Sequence, residues 1–158
     1  MRYVSRPTVV INAPVDVVWA LLIEPAAWED VFDVRVGSID PPGPAIVGQK
    51  ISGETGLRIL HLKLTFRMIE IDLDHHRLRL DVNLPFGLTV HEDLSCTSLD
   101  DACCRADYHC NFDFPRGWRG PLMRVLMNQR LDAGPRDSLS LLKRAAERRF
   151  AGRENDGC

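Results

Sequence analysis

The sequence predicts an α+β domain in which a curved antiparallel sheet closes around one long C-terminal helix. Three observations lead there. The middle of the chain is a succession of strands in which apolar and polar residues alternate. One strand and two short helical segments precede it, and an amphipathic helical stretch over residues 118–150 follows it.

Taken in order, residues 3–11 are rich in Val, Ile and Tyr and read as a strand. Asn12 suits an N-cap and Pro14 a first helical turn, so a helix is expected over residues 15–24. Val15, Val18, Trp19 and Leu22 share one stripe at the 3.6-residue period, and Pro25 stops the helix. A second short helix over 26–31 carries Trp28. Strands over 33–40 and 49–54 flank the turn Pro41-Pro42-Gly43-Pro44, and Gly56 breaks the second.

A long strand over 58–73 sets Leu60, Leu62, Leu64, Phe66 and Met68 against His61, Lys63, Thr65 and Arg67. The alternation slips by one at Met68–Ile69, which a β-bulge would reconcile. Residues 76–84 place Leu78, Leu80, Val82 and Leu84 against Arg77, Arg79, Asp81 and Asn83. Strands over 88–97 and 103–114 form the closing hairpin, giving about seven strands with one buried and one wet face. With residues 98–102 as the loop, Glu92 faces Tyr108, His91 faces His109 and Cys96 faces Cys104. A bend at Pro85-Phe86-Gly87 sets Asp93 opposite Arg79, a cross-strand ion pair. In the last element Leu122, Val125, Leu126, Leu139, Leu142 and Ala145 form an apolar stripe, and Gly134-Pro135 should kink or split it. Residues 1–150 read as one domain and 151–158 as a polar, disordered tail.

Bulk properties exclude several classes. The 158 residues are 45% hydrophobic and 27% charged with a net charge of −2, an ordinary globular mixture with no electrostatic reason to bind nucleic acid. No apolar run reaches the ~18 residues of a membrane span, so no membrane insertion is expected. The N-terminus lacks a basic region followed by an apolar stretch, so a reducing, cytoplasmic compartment is expected, with the five cysteines as free thiols. No CxxC, GxGxxG, P-loop, HExxH or nucleophile elbow is present, so neither a metal nor a cofactor is expected. Outward-facing charged strands fit a monomer or a homodimer.

A sheet curved around a helix leaves space between the layers for a hydrophobic small molecule. Glu92 is the most informative residue. Its neighbours in the alternation, Val90 and Leu94, point inward, so its carboxylate faces an apolar space. Desolvation raises the proton affinity of such a group and suits it to general acid or base work. Tyr108 would donate a hydrogen bond to it or to a ligand carbonyl. The competing expectation is an anchoring ion pair from Glu92 to Arg124 or Arg130. The wall is expected from Trp19, Leu62, Leu64, Phe66 and Leu80, from Val90, Cys110 and Phe112, and from Leu122 and Leu126 on the helix. His61, His91 and His109 lie on the polar face, which lacks a shaped position for a substrate.

Four segments carry a resemblance: VVINAPVDVVWALLIEPAAWEDV, VGQKISGE, RMIEIDLDHHRLRL and CNFDFPRGWRGPLMRVLM. Together they span almost the whole chain. They resemble the START-like, helix-grip superfamily often called SRPBCC, and within it the small bacterial polyketide cyclase/dehydrase group. The resemblance implies the helix-grip fold, a hydrophobic ligand and a cofactor-independent cyclase, aromatase or dehydrase of secondary metabolism. The alternative is a non-catalytic carrier of a lipid, quinone or antibiotic, and the abundance of Leu, Phe and Trp at inward positions also fits an interaction module with a collapsed cavity.

Overall fold

The structure is a computed structural model that describes residues 2–57 and 60–157. Arg58 and Ile59, assigned above to the long strand, and Cys158 lie outside the described residues. In chain order the elements are β1 (Arg2–Ser5), β2 (Thr8–Ile11), α1 (Val15–Leu22), a 3-10 helix (Pro25–Asp30), β3 (Arg35–Asp40), β4 (Lys50–Leu57), β5 (Leu60–Asp72), β6 (Arg77–Asn83), a short 3-10 turn (Pro85–Gly87), β7 (Thr89–Asp100), β8 (Cys103–Asp113), α2 (Arg119–Met127) and α3 (Arg130–Asp156). The strands form one antiparallel sheet in the order β1-β8-β7-β6-β5-β4-β3, with β2 also pairing with β8. This is the helix-grip arrangement, with eight strands in place of about seven. The extra strand arises because the first one splits at Arg6-Pro7, where proline has no N–H to give the ladder.

The inner face of the sheet is the buried one, and α1, the first 3-10 helix and α3 cover it. The bulge falls where the alternation slips, with Ile69 the extra residue between the pairs Met68–Leu80 and Glu70–Arg79. Gly56 does not end β4, which runs on to Leu57. Asp93 does oppose Arg79, but the ion pairs are partnered otherwise: Asp93 takes Arg77 on the diagonal, and Arg79 pairs with Glu70, directly opposite it on β5. The β7–β8 register differs from the expected one by two residues. Glu92 opposes Cys110, Leu94 opposes Tyr108, His91 opposes Asn111 and Cys96 opposes Ala106. The strands extend to Asp100 and Cys103, so the connection is a tight turn at Asp101-Ala102 preceded by a bulge, and not a five-residue loop. A shift of two leaves every side chain on its expected face, because the strand period is two.

The helices differ from expectation in four places. Pro14 and not Asn12 caps α1, and the Asn12 N–H goes instead to Glu147 Oε1 of α3 at 3.0 Å. The break between α2 and α3 is at Asn128-Gln129, upstream of Gly134-Pro135. Pro135 stands in the second turn of α3, so the backbone bond it forfeits lies near the helix start, where few intrahelical bonds are lost. The α2 face that points inward is Gly120, Met123 and Met127, whereas Leu122, Val125 and Leu126 are exposed. Finally, α3 continues to Asp156 where a disordered tail was expected. Its last turns run beside α1, with Arg149 and Arg153 at 3.6 Å from Glu24 and Asp16.

Candidate functional site

A cavity of about 110 Å³ lies between the sheet and the first half of α3. Its floor is the inner face of the sheet, with Leu62, Leu64 and Phe66 from β5, Val82 and Leu84 from β6 and its end, Val90 and Glu92 from β7, and Tyr108 and Phe112 from β8. Its roof is Met127, Arg130, Gly134, Pro135 and Ser138. The pair Gly134-Pro135 therefore makes room. Glycine brings no side chain, and a Cβ placed there would meet nothing within 4 Å. Phe32 closes one end. Its ring lies 5.0 Å from Trp28, 6.4 Å from Phe66 and 6.3 Å from Tyr108, so the first 3-10 helix props up the wall.

The exposed residues Asp33 and Gly56 mark the mouth, and Arg130 spans it. Arg130 donates to Asp33 Oδ2 and to the Gly56 carbonyl, each at 2.5 Å. It is thereby committed to the mouth, and it does not pair with Glu92. Arg130→Met keeps the stem and removes both bonds. We expect it to speed association of a hydrophobic fluorescent probe severalfold in stopped flow, and to lower stability by about 1 kcal/mol, the scale of a half-exposed ion pair.

Among the described residues Glu92 is the one acidic group on the cavity floor. Oε2 is buried with no hydrogen-bond partner, and the Tyr108 phenol lies near enough to the carboxyl to bear on its proton affinity. The two residues are diagonal and not directly opposed, yet still within reach on one face. Glu92 is half-buried and lines the cavity. Desolvation pushes its carboxyl up to about 7, and the Tyr108 phenol opposes this only partly. Burial and the adjacent carboxylate hold Tyr108 well above the ordinary phenol range, so it stays a donor. Cys110, opposite Glu92, is pushed up by burial and stays a thiol. Cys96 and Cys104 are pushed up to about 12 and about 11, both chiefly by burial, so neither is poised as a nucleophile.

Among the expected wall residues, Leu62, Leu64, Phe66, Val90 and Phe112 line the cavity. Trp19, Leu80 and Cys110 do not. They point inward but are packed into the core, Trp19 under His76 with ring centroids 5.6 Å apart. At that end α1 covers the sheet closely, so facing inward means being filled in. Leu122 and Leu126 are also absent from the wall, because α2 turns them to solvent. The roof residues Gly134, Pro135 and Ser138 were not foreseen. The signal was available, since a glycine–proline pair on a helix stripe is a gap in the apolar surface.

Of the outer-face histidines, His91 is tied up locally and His61 is exposed. His91 Nδ1 is 2.6 Å from Asp81 and its Nε2 3.4 Å from Asp113, while His109 opposes Asp93. Among the described residues no three His, Cys, Asp or Glu side chains converge on a metal-sized site.

Comparison with known proteins agrees with this architecture. A family profile described as polyketide cyclase / dehydrase and lipid transport matches residues 4–147. No curated protein sequence matches the chain significantly. Among solved structures, the Zhui aromatase/cyclase from Streptomyces sp. R1128 superposes with a TM-score of 0.80 at 15% identity, covering 94% of this chain and 96% of that one. Norcoclaurine synthase from Thalictrum flavum, in complex with dopamine and hydroxybenzaldehyde, gives 0.66 at 12% identity, covering 91% and 86%. The protein TTHA0849 from Thermus thermophilus gives 0.71 at 14% identity, covering 91% and 97%. At these identities the superpositions establish the helix-grip fold. The profile covers nearly the whole chain, and the chain belongs to the polyketide cyclase / dehydrase and lipid transport family.

Proposed function

We propose that this protein is a cofactor-independent cyclase, aromatase or dehydrase that acts on a compact polycarbonyl substrate held between sheet and helix. One observation carries this reading. A buried carboxyl with an unpartnered oxygen stands on an otherwise apolar cavity floor, beside a phenol that remains a donor. A binder needs only the apolar wall. A dry acid aimed into the cavity costs stability and is explained by proton transfer.

The chemistry is short. As carboxylate, Glu92 removes a proton from a methylene flanked by two carbonyls. The enolate carbon attacks a second carbonyl of the same chain, forming the ring bond, and the new alkoxide takes the proton back from Glu92. In dehydration the Glu92 carboxylate removes the remaining proton from the same carbon, the electron pair forms the C=C bond, and Glu92 returns that proton to the departing hydroxyl, which leaves as water. Tyr108 donates to the carbonyl or enolate oxygen. The apolar wall folds the chain, and proximity of this kind removes a large part of the barrier. The cavity is smaller than the roughly 300–1,000 Å³ of drug-sized sites, so this form suits a single ring or a short chain.

The test is incubation with short linear poly-β-ketone analogues and mass detection of products that are isomeric or lighter by one water. Conversion supports the enzyme. Stoichiometric binding without conversion across the series favours the family's other activity, carriage of a hydrophobic molecule. For an enzyme whose base is Glu92, kcat/KM should rise about tenfold per pH unit below pH 7, where the carboxylate is half formed, and level off above it.

A further inference from the structure

The apolar stripe of α2 faces away from the core, and among the described residues nothing covers it. Trp118, Leu122, Val125 and Leu126 are exposed at 73%, 47%, 76% and 43%. At 3.6 residues per turn they fall on one arc together with exposed Pro121. Gly120, Met123 and Met127 occupy the opposite, buried side. Arg119 and Arg124 flank the apolar arc, one on each edge, and both are exposed. The Arg119 guanidinium also lies 5.8 Å over the Trp118 ring. Residues 114–131 contain Arg116, Arg119, Arg124 and Arg130 and no acidic residue, in a chain whose net charge is −2.

The orientation of α2 is fixed by the fold. A Cβ on Gly120 would lie 2.4 Å from the Pro115 carbonyl oxygen, so the start of the helix is seated tightly on that segment. Beside it lies the turn at Pro85–Gly87, since a Cβ on Gly87 would be 3.5 Å from Pro115 Cβ. That turn holds Phe86 at φ 65 and 61% exposed, adding a sixth apolar side chain to the same end of the molecule.

We propose that the outer face of α2 docks this protein on an anionic lipid bilayer surface, lying in the interface without crossing it. The features are those of an interfacial helix: a broad apolar arc with an aromatic residue, a cation at each polar edge and no acidic residue within α2 itself. No described helix is long and apolar enough to cross a membrane, which is compatible with docking at the surface. The favoured occupant is a bilayer because the exposed apolar arc carries one arginine at each edge and α2 holds no acidic residue, a charge pattern that complements anionic headgroups. The α2–α3 break at Asn128-Gln129 and Met127 also place the cavity roof directly behind the docked face, so a hydrophobic molecule has a short path from lipid to cavity. Docking through this face is independent of which reaction occurs inside.

Intrinsic fluorescence provides the test, because Trp118 is exposed while Trp19 and Trp28 are at 7% and 0%. Vesicles of phosphatidylcholine containing phosphatidylglycerol should blue-shift the emission and carry the protein down on sedimentation. Pure phosphatidylcholine vesicles should do so much less, and added salt should weaken binding. Val125→Asp, at a position open to solvent, and the pair Arg119→Glu with Arg124→Glu should each reduce vesicle binding by about tenfold or more. Circular dichroism would verify that both stay folded. No sedimentation with anionic vesicles overturns the proposal. So does a concentration-dependent dimer that Val125→Asp dissociates, which would give the face to a second copy. A blue shift with poly-L-glutamate but none with vesicles would give it to an acidic protein, and would equally overturn it.

Discussion

Glu92→Gln is expected to lower turnover by about 10²–10⁴-fold and, at pH 8, to raise the melting temperature. The two effects have one origin. The carboxyl titrates near 7 in the folded protein instead of at its ordinary 4.5, because its site is dry. Below pH 4.5 both folded and unfolded chains carry it protonated, and its burial bears no charge penalty. As pH rises the unfolded chain releases the proton first, and stability falls until pH passes the folded value near 7. The accumulated loss is about 3 kcal/mol. Glutamine is uncharged at every pH and its side-chain carbonyl offers Tyr108 an acceptor in the same place. For a domain of this size the variant should melt up to about 10 °C above the wild type at pH 8, with the difference vanishing near pH 4. Paired thermal melts over this range decide it. A variant that gains nothing at pH 8 would mean that Glu92 is well solvated, and the acid–base role would go with its dry site. Ligand binding should survive the substitution, which separates loss of chemistry from loss of fold.

The sequence makes the inward face of the sheet legible and the depth of each inward residue much less so. Alternation assigns Glu92 and Tyr108 to the same face whatever the register, and so tolerates an error of two residues at the β7–β8 turn. Whether an inward residue meets space or another side chain depends on what the helices place above it. Leu80 and Phe66 follow the same rule in neighbouring strands, yet Leu80 is packed over and Phe66 lines the cavity. Helix periodicity has a different weakness. Residues 118–127 carry two apolar stripes, one of Leu and Val and one of Met, and hydrophobicity alone favours the first. The structure turns the Met stripe inward, because Gly120 permits the close seat on Pro115 only on that side. Pro135 misleads for a related reason: near a helix start it costs little, so the break settles upstream.

Trp28→Ala should have the largest effect on stability, a loss of about 3–5 kcal/mol in urea unfolding. That is a large share of the roughly 5–15 kcal/mol that holds a domain together. Trp28 has no exposed surface, its indole N–H donates to the Leu22 carbonyl at 3.0 Å, and its ring meets Phe32 and Phe66 edge-on at 5.0 and 5.3 Å. Removing it leaves a void and orphans a buried carbonyl. Trp28→Phe keeps most of the ring and loses the donor, so it should cost about 1–2 kcal/mol and stay folded. This milder variant is the more informative one. Trp28 touches Phe66 directly and, through Phe32, the ring of Tyr108, so one side chain braces both the apolar wall and the polar pair. Trp28→Phe combined with Phe66→Leu should therefore be non-additive by about 0.5 kcal/mol or more. Trp28→Phe with Ile46→Ala, an exposed position far along the chain, should be additive. Additivity in both pairs would mean that Trp28 stabilises the fold without bracing the wall. Coupling confined to the first pair would identify the short 3-10 helix as the prop that keeps the cavity open against collapse.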